Sequence, residues 1–509
     1  MPEAPILVSG ATGYVGGRLV PLLLESGYRV RVLGRSLAKL ESRPWAVHEN
    51  LEMAHADFLD YPSLEKAVEG CRAGFYLVHS MNARHKDFAK ADKNAASNMA
   101  RAASRAGMER IIYLGGLGDE DRTLSRHLRS RTEVAHILQA SVPTTFLRAA
   151  MILGSGSASF EMMRYLVERL PVMTTPRWVQ NPVQPISIRD VLGYLKGCLE
   201  HEETIGGTFD IGGPDVLTYK RLMEAYAKEA GLPGRWIIPL PVLTPRLSSY
   251  WIHLVTPVPS HIARPLAEGL RNPVVCKENR IRSIIPLNLQ SVKETIRLAL
   301  GKIKGQCVET CWADAGPVSY PEWHQCGDAP YAGGTVMESG HRVVLDAPPK
   351  EVWRPIARIG GTRGWYSSRS LWALRGLIDR LVGGMGLRGG RHDPVRLRPG
   401  DPVDFFRVLE VSEASRLLLV AEMKFPGEAT LEFRISPVPE GGTELQQLSR
   451  FLPKGISGLA YWYALYPFHQ YVFKAMLQGI VREVGKPVIK GPHWFAPRLP
   501  NVCRVDPEQ

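Results

Sequence analysis

The chain has 509 residues, 45% of them hydrophobic and 22% charged, which is too long for a single core and has the make-up of an ordinary globular protein, so two or three domains are expected. The formal net charge of +13 suits a phosphorylated cofactor, an acidic ligand or an anionic membrane surface, whereas no basic stripe with interleaved aromatics marks a nucleic-acid reader. Seven cysteines, an odd number in so long a chain, do not make a disulfide framework, and with no leader pattern before the first strand the cytoplasm is the expected compartment.

In chain order, the apolar run Ile6-Leu7-Val8 predicts a strand that leads into Gly10-Ala11-Thr12-Gly13-Tyr14-Val15-Gly16 and then an amphipathic helix carrying Leu19, Leu22, Leu23 and Leu24. A strand ending in a glycine-spaced turn at a helix start is built to hold a pyrophosphate on unpaired N–H groups at the positive end of the helix dipole. Gly10 lets the chain turn, Gly13 lets the backbone approach the phosphates, and Gly16 lets the helix pack closely on the sheet. Further strands are expected near 28–34, 51–55, 73–79, 110–115 and 144–148, and helices near 13–26, 62–69, 86–106 and 125–140. That alternation predicts an α/β fold with a doubly wound parallel sheet of Rossmann type, the carboxyl ends of its strands along one edge.

The residue after the second strand chooses the dinucleotide, because a carboxylate there would hydrogen-bond the adenosine ribose and repel a 2′-phosphate. The strand ends Val32-Leu33-Gly34-Arg35-Ser36. Arg35 offers a planar fork suited to a phosphate and Ser36 a further donor, so NADP(H) is favoured and NAD(H) is the lesser alternative. Asp57, followed by Phe58, ends the third strand and either accepts from the adenine amino group or caps the helix before Pro62. Val78, His79 and Ser80 end the fourth strand, where the chain passes the nicotinamide ribose.

The stretches GATGYVG, HADFLD, FYLVHSM, IIYLGGLG and LRAAMILG, in this order and spacing, resemble the atypical and extended short-chain dehydrogenase/reductases over roughly residues 4–300. The resemblance implies a Tyr-x-x-x-Lys pair on one face of the helix after the fifth strand, the tyrosine shuttling a proton during hydride transfer. Here the helix carries His127 and Arg131 at that spacing, and Gly115-Gly116 stand where a serine is usual. Two readings stay open. In one, His127 is the proton shuttle and Arg131 binds ribose or phosphate; in the other, both only line the groove, since arginine holds charge but cannot act as a base. A helix of this kind resembles an NmrA-like branch that includes NADP sensors and an accessory subunit of respiratory complex I. The function expected is therefore hydride transfer to a carbonyl, enone or quinone of an apolar substrate, the alternative being a non-catalytic NADP(H) sensor or scaffold.

Residues 150–300 loosen into helical stretches near 158–169, 189–201, 218–230 and 289–303, with a short strand Thr208 to Ile211, and read as a substrate lobe closing a domain of residues 1–303. Residues 304–334 read as a linker. They hold Cys307, Cys311, His324 and Cys326, whose spacing is not that of a standard zinc site, and no metal is expected. Strands near 336–345, 403–411, 415–424, 429–436 and 443–452 and a closing helix near 457–485 predict an α+β helix-grip domain over 335–495, with 496–509 as a tail. Trp365-Tyr366, Leu397 to Asp401, Tyr461-Trp462-Tyr463 and Pro467-Phe468-His469 make this domain resemble a START-like module of unassigned function, which implies an apolar small-molecule ligand. Ile456 to Val481 and Trp236 to Val258 are apolar but interrupted by polar residues or prolines, and neither reads as a membrane span. Nine arginines between Trp353 and Arg398, interleaved with Trp365, Trp372, Leu374, Leu377 and Leu381, form either a basic amphipathic surface for peripheral contact with anionic lipid or a solvated arginine face. Oligomeric state is not legible.

Overall fold

A computed structural model describes residues 4–78, 88–118, 126–240, 260–270, 272–304, 336–382, 393–439 and 441–495, with isolated positions between them. The chain divides into two compact units, Met1–Gly316 and Pro317–Gln509.

The first unit is built on seven parallel strands: β1 (Ile6–Val8), β2 (Val30–Gly34), β3 (Leu51–His55), β4 (Ala73–Tyr76), β5 (Arg110–Gly116), β6 (Thr144–Ala149) and β7 (Thr208–Ile211). Their spatial order is β7-β6-β5-β4-β1-β2-β3. Val8 at the end of β1 lies between Val32 of β2 and Phe75 of β4, and the order reverses there, which opens a crevice beyond the carboxyl ends of the strands. Ile6, Leu7 and Val8 are all fully buried, because helices cover both faces of a parallel sheet and leave no polar side for alternation to show. One face is covered by α1 (Gly16–Glu25), through Leu19 and Leu23. The other takes α2 (Tyr61–Val68), α3 (Phe88–Arg105) and α4 (Arg126–Gln139), through Leu64, Met99 and Leu138.

Helices α5 (Ala158–Arg169), α6 (Ile188–Glu200), α7 (Tyr219–Glu229), α8 (Ser260–Gly269) and α9 (Val292–Lys304) follow, joined by two-stranded pairs. Helix α6 returns to the α1 face of the sheet, while α5, α7 and α9 share a separate core around Phe160, Leu222, Tyr226 and Ile296. Thr208 to Ile211, read from sequence as part of the lobe, instead extends the main sheet as β7. It lies parallel to β6 with Thr208 opposite Phe146, and Asp210 is held by Arg148 at 2.7 Å and by the Lys277 N–H at 2.8 Å.

The second unit is an antiparallel sheet of β8 (Met337–Leu345), β9 (Pro402–Val403), β10 (Phe406–Ser412), β11 (Arg416–Ala421), β12 (Gly427–Pro437), β13 (Thr443–Pro453) and β14 (Val488–Phe495), in the order β9-β10-β11-β12-β13-β8-β14. Helices α10 (Pro349–Ala357), α11 (Arg369–Leu381) and α12 (Gly455–Val484) join it. Among the described residues no helix is long and apolar enough to cross a membrane. The sequence reading closed this domain on the long helix, whereas β14 follows it and pairs with β8. The inner face of the sheet packs Leu431, Phe433 and Leu445 against Met476 and Ile480 of α12.

The opposite face carries a buried charge cluster. Glu432, between Leu431 and Phe433, is fully buried and accepts from Arg416, Arg434 and Arg450 at 2.7 Å each. Burial alone would raise its carboxyl, but the Arg434 hydrogen bond and then the charges of Arg434, Arg450 and Arg416 outweigh it and hold the group down at about 2. A folded value below the ordinary carboxylate range means that the ion cluster stabilises the fold fully above about pH 5 and loses that contribution as pH falls toward 2. Urea denaturation at pH 7 and pH 3 should therefore show a fall in midpoint that is smaller in Glu432→Gln, which should itself cost about 1–3 kcal/mol at pH 7 because the neutral amide cannot accept the charge-assisted hydrogen bonds of the three arginines. Equal pH dependence in the two proteins would remove Glu432 from this role.

Candidate functional site

The carboxyl end of β1 is tied down before it turns. The Ser9 hydroxyl donates to the Phe75 carbonyl at 2.8 Å and accepts from the Leu77 N–H at 2.9 Å, fixing the ends of β1 and β4 together. Gly10 then takes φ +69°, and a methyl there would lie 2.6 Å from the Leu77 carbonyl oxygen. A Cβ on Gly16 would fall on the Gly10 carbonyl itself. Gly10 and Gly16 are thus required by the chain. Gly13 is held less tightly, since a Cβ there would meet the Gly10 oxygen at 3.2 Å and the turn would have to give by only a few tenths of an ångström. Helix α1 starts with no side-chain cap and no acidic residue in its first turn, so that turn itself brings no negative charge to the positive end of the helix.

Residues far away in sequence clamp this turn. Buried Arg18 donates to the Ser155 carbonyl at 2.9 Å and to Thr310 Oγ1 at 2.8 Å, and its guanidinium lies 4.6 Å from the Tyr14 ring centre. Thr310 Oγ1 donates in turn to the Tyr14 carbonyl at 2.9 Å. Thr310 sits in the stretch read as a linker, yet it is buried in the first unit.

The turn opens into a cavity of about 320 Å³ whose walls include Tyr14, the end of β5, Arg131 of α4, Ser159 of α5 and Tyr219. The end of β5 is glycine for a packing reason. A Cβ on Gly115 would strike the Phe146 ring, and one on Gly116 would lie 2.6 Å from Leu128 Cδ2, so neither position has room for a serine as packed. Arg131 lines the cavity beside Tyr113. Burial pulls its guanidinium below the ordinary arginine value, against the opposing influence of Tyr113 and Asp92, but an arginine stays charged. Burial likewise pushes the Tyr219 phenol up, leaving it a neutral donor in the wall. No motif marked Tyr219 or Ser159 in the sequence; only the folding of the lobe over the sheet edge brings them to the crevice.

Of the residues singled out from sequence, Gly10, Gly13, Tyr14, Val15, Gly16 and Arg131 share this cavity. The Thr12 carbonyl faces Arg43 at 3.5 Å. Arg35, after β2, is exposed and makes no ion pair among the described residues, and Ser36 precedes the short helix Leu37–Glu41 without capping it. The Asp57 carboxylate accepts from the Leu59 N–H at 3.0 Å, a local turn rather than a free acceptor. The Phe58 ring is a departure from the sequence reading: it is buried edge-on against Tyr76, with ring centres 5.7 Å apart, and belongs to the core. Val78 is half-buried just past β4. His79, Ser80, Cys307, Cys311, His324 and Cys326 lie outside the described residues, and so does the side chain of His127, whose backbone is in the first turn of α4. Among the described residues no group of histidine, cysteine and carboxylate side chains is set to hold a metal.

The second unit has its own cavity, of about 540 Å³, between α11, α12 and the inner face of the sheet. Its walls are mainly aromatic and aliphatic, among them Trp372, Phe405, Phe451, Trp462 and Phe473. The arginines interleaved with tryptophans and leucines between Trp353 and Arg398 allow two readings, a basic amphipathic surface for anionic lipid or a solvated arginine face. The structure turns Trp372 and Arg375 to the cavity and leaves Leu377 and Leu381 exposed, so the arginine face is not uniformly solvated.

Comparison with known proteins bears on each unit separately. Residues 2–251 match the NmrA-like family, and residues 331–476 match a protein family of unknown function, DUF2867. Cinnamoyl-CoA reductase 1 of Petunia hybrida is 30% identical over 121 residues, 22% of this chain and 35% of that protein. Dihydroflavonol 4-reductase of Hordeum vulgare is 30% identical over 126 residues, 23% of this chain and 36% of that one. Alpha subcomplex subunit 9 of the mitochondrial NADH dehydrogenase of Arabidopsis thaliana is 25% identical over 226 residues, 43% of this chain and 56% of that one. The chain thus spans about a third of the length of the two reductases. The solved structure of Citrobacter sp. triphenylmethane reductase with NADP(H) covers 58% of this chain and 99% of its own, at 19% identity and a TM-score of 0.48.

Proposed function

We propose that the first unit binds NADP(H) and acts as an oxidoreductase of the short-chain dehydrogenase/reductase type, on the carbonyl, enone or quinone of an apolar substrate. The observation that carries this reading is the uncapped start of α1, set over the Gly10–Gly16 turn and opening into the cavity that also contains Arg131. The residues present fit the cofactor. The turn leaves backbone room for a pyrophosphate at Gly13, the helix end favours its charge, and exposed Arg35 stands where a 2′-phosphate would be read. NADPH, when bound, supplies a hydride.

The protein's own part is to orient the acceptor and hold charge. Hydride addition to an enone or quinone places negative charge on the acceptor oxygen, and a fixed cation in an apolar wall stabilises that charge without transferring a proton. Arg131 has the chemistry for this, and the neutral Tyr219 phenol can donate a hydrogen bond from the same wall. The names of the reductase relatives are in keeping with this reading. A second reading, in which NADP(H) is sensed or serves a scaffold without turnover, draws on the lack of room for a serine at Gly115 and Gly116 and on the similarity to a subunit of NADH dehydrogenase. For the second unit, we propose a START-like helix-grip domain that takes an apolar small molecule in its cavity. A cytoplasmic setting belongs to this proposal, as does peripheral contact of exposed Leu377 and Leu381 with an anionic membrane.

Gly16→Ala should lower stability by about 1–3 kcal/mol through overpacking against Gly10. Gly13→Ala should keep stability within about 1 kcal/mol while weakening NADP(H) about tenfold or more; thermal unfolding and calorimetric titration read the two effects separately. Arg35→Glu should weaken NADP(H) far more than NAD(H), and an unchanged ratio of the two dissociation constants would sink the cofactor choice. Anaerobic incubation with NADPH and a panel of quinones, enones and carbonyls tests turnover. Oxidation that drops about a hundredfold in Arg131→Met supports the charge-holding role, and His127→Phe tests the alternative shuttle. Tight NADPH binding with no oxidation on any acceptor would favour the sensor.

A further inference from the structure

The cavity of the second unit is apolar except for one built polar corner. Arg375 of α11 reaches into it and makes three contacts: Nε to Met423 Sδ at 3.4 Å, one terminal nitrogen to His469 Nε2 at 3.3 Å, and the other to Tyr461 Oη at 2.6 Å. A thioether, an imidazole and a phenol are all neutral. They engage three of the five N–H groups that a guanidinium carries. Among the described residues no carboxylate pairs with Arg375.

The other charged groups around the cavity are accounted for. Arg450 is neutralised by Glu338 and Glu432. Asp379 accepts from the backbone N–H groups of Lys424 at 2.8 Å and Gly386 at 2.6 Å. The Lys424 side chain is exposed. Ser449, opposite Leu431 on the inner face of the sheet, also lines the cavity at 9% exposure, and its hydroxyl has no hydrogen-bond partner among the described residues. His469 is held neutral, pushed down to about 4 by burial and then by the Arg375 charge. Because its Nε2 accepts from Arg375, its proton is on Nδ1, which is buried and without a partner among the described residues. Arg375 is half-buried, and a cation with no carboxylate partner among the described residues, set beside unsatisfied buried donors and apolar walls, is a corner that an anionic group on an apolar ligand would complete.

Resting on the reading that this cavity takes an apolar small molecule, we infer that the ligand is a single-chain amphiphile with an anionic head, its carboxylate-like oxygens on Arg375 and its apolar body along Trp372, Phe451 and Trp462. The volume of about 540 Å³ is within the ~300–1,000 Å³ of small-ligand pockets. A planar guanidinium meets a carboxylate in a bidentate pair.

The test uses the full-length protein, with decanoate and 1-decanol as probes that share a chain and differ in the head. Calorimetry gives affinity, and tryptophan fluorescence reports occupancy next to Trp372 and Trp462. Decanoate should bind about tenfold or more tighter than decanol, and the difference should vanish in Arg375→Met, which keeps the apolar stem. Equal binding of the two probes to the wild-type protein would overturn the anionic head while leaving the apolar cavity in place. That comparison needs no variant, so a folding defect in Arg375→Met does not blur it. Binding of neither probe would overturn both readings. A response to phosphatidylglycerol vesicles without one to monomeric decanoate would assign the anion to a bilayer lipid and overturn the single-chain ligand.

Discussion

The first unit depends on how closely α1 approaches the end of β1. Gly16 begins the helix directly against the Gly10 carbonyl, at a separation that leaves no place for a side chain. Because the helix starts there, its N-terminal end meets the crevice at the point where the strand order reverses, and the positive end of its dipole lies beside the site. Ser9, Arg18 and Thr310 all serve the same contact by fixing the strand end, the helix and the intervening turn. A helix one residue later, or a turn with a bulkier residue, would move the whole N-terminal wall of the cavity.

The two units answer a similar physical problem with different folds. Each surrounds an arginine with largely apolar walls, Arg131 in the parallel α/β unit and Arg375 in the antiparallel one. An arginine so placed cannot take up or release protons at ordinary pH, but it fixes where negative charge is tolerated. In the first unit this bears on what chemistry remains once tyrosine and lysine are absent from their usual helix. At the end of β5 the packing itself leaves no place for a Cβ on Gly115 or Gly116, because Phe146 and Leu128 occupy that space.

The parts of the fold that were legible in sequence are those written in local patterns. Buried strands appear as apolar runs, the first turn as spaced glycines, and the lobe helices as periodic stretches whose bounds fall within a few residues of the observed ones. What was not legible depends on partners distant in the chain. Thr208 to Ile211 reads as a strand, but nothing local says that it joins β6. Val488 to Phe495 contains Gly491-Pro492, which argues for a break, yet proline is tolerated at the sheet edge that β14 occupies beside β8. Phe58 follows a strand end in sequence, and only its packing against Tyr76 shows that its ring faces the core. Arg375 is one of nine arginines in its stretch, and the rotation of α11 that turns it inward is set by Trp372 packing on Phe405.

The clasp between Arg18 and Thr310 spans 292 positions. It ties the first helix of the unit to a residue beyond the last helix of the lobe, so the cofactor turn is completed by a part of the chain that is synthesised late. A nascent chain that has emerged only through α9 already holds every strand of the parallel sheet, but not the hydroxyl that bridges Arg18 and the Tyr14 carbonyl. The order of synthesis therefore delays the finished turn until Thr310 is in place, and a boundary drawn at residue 303 would part Thr310 from the turn it clamps.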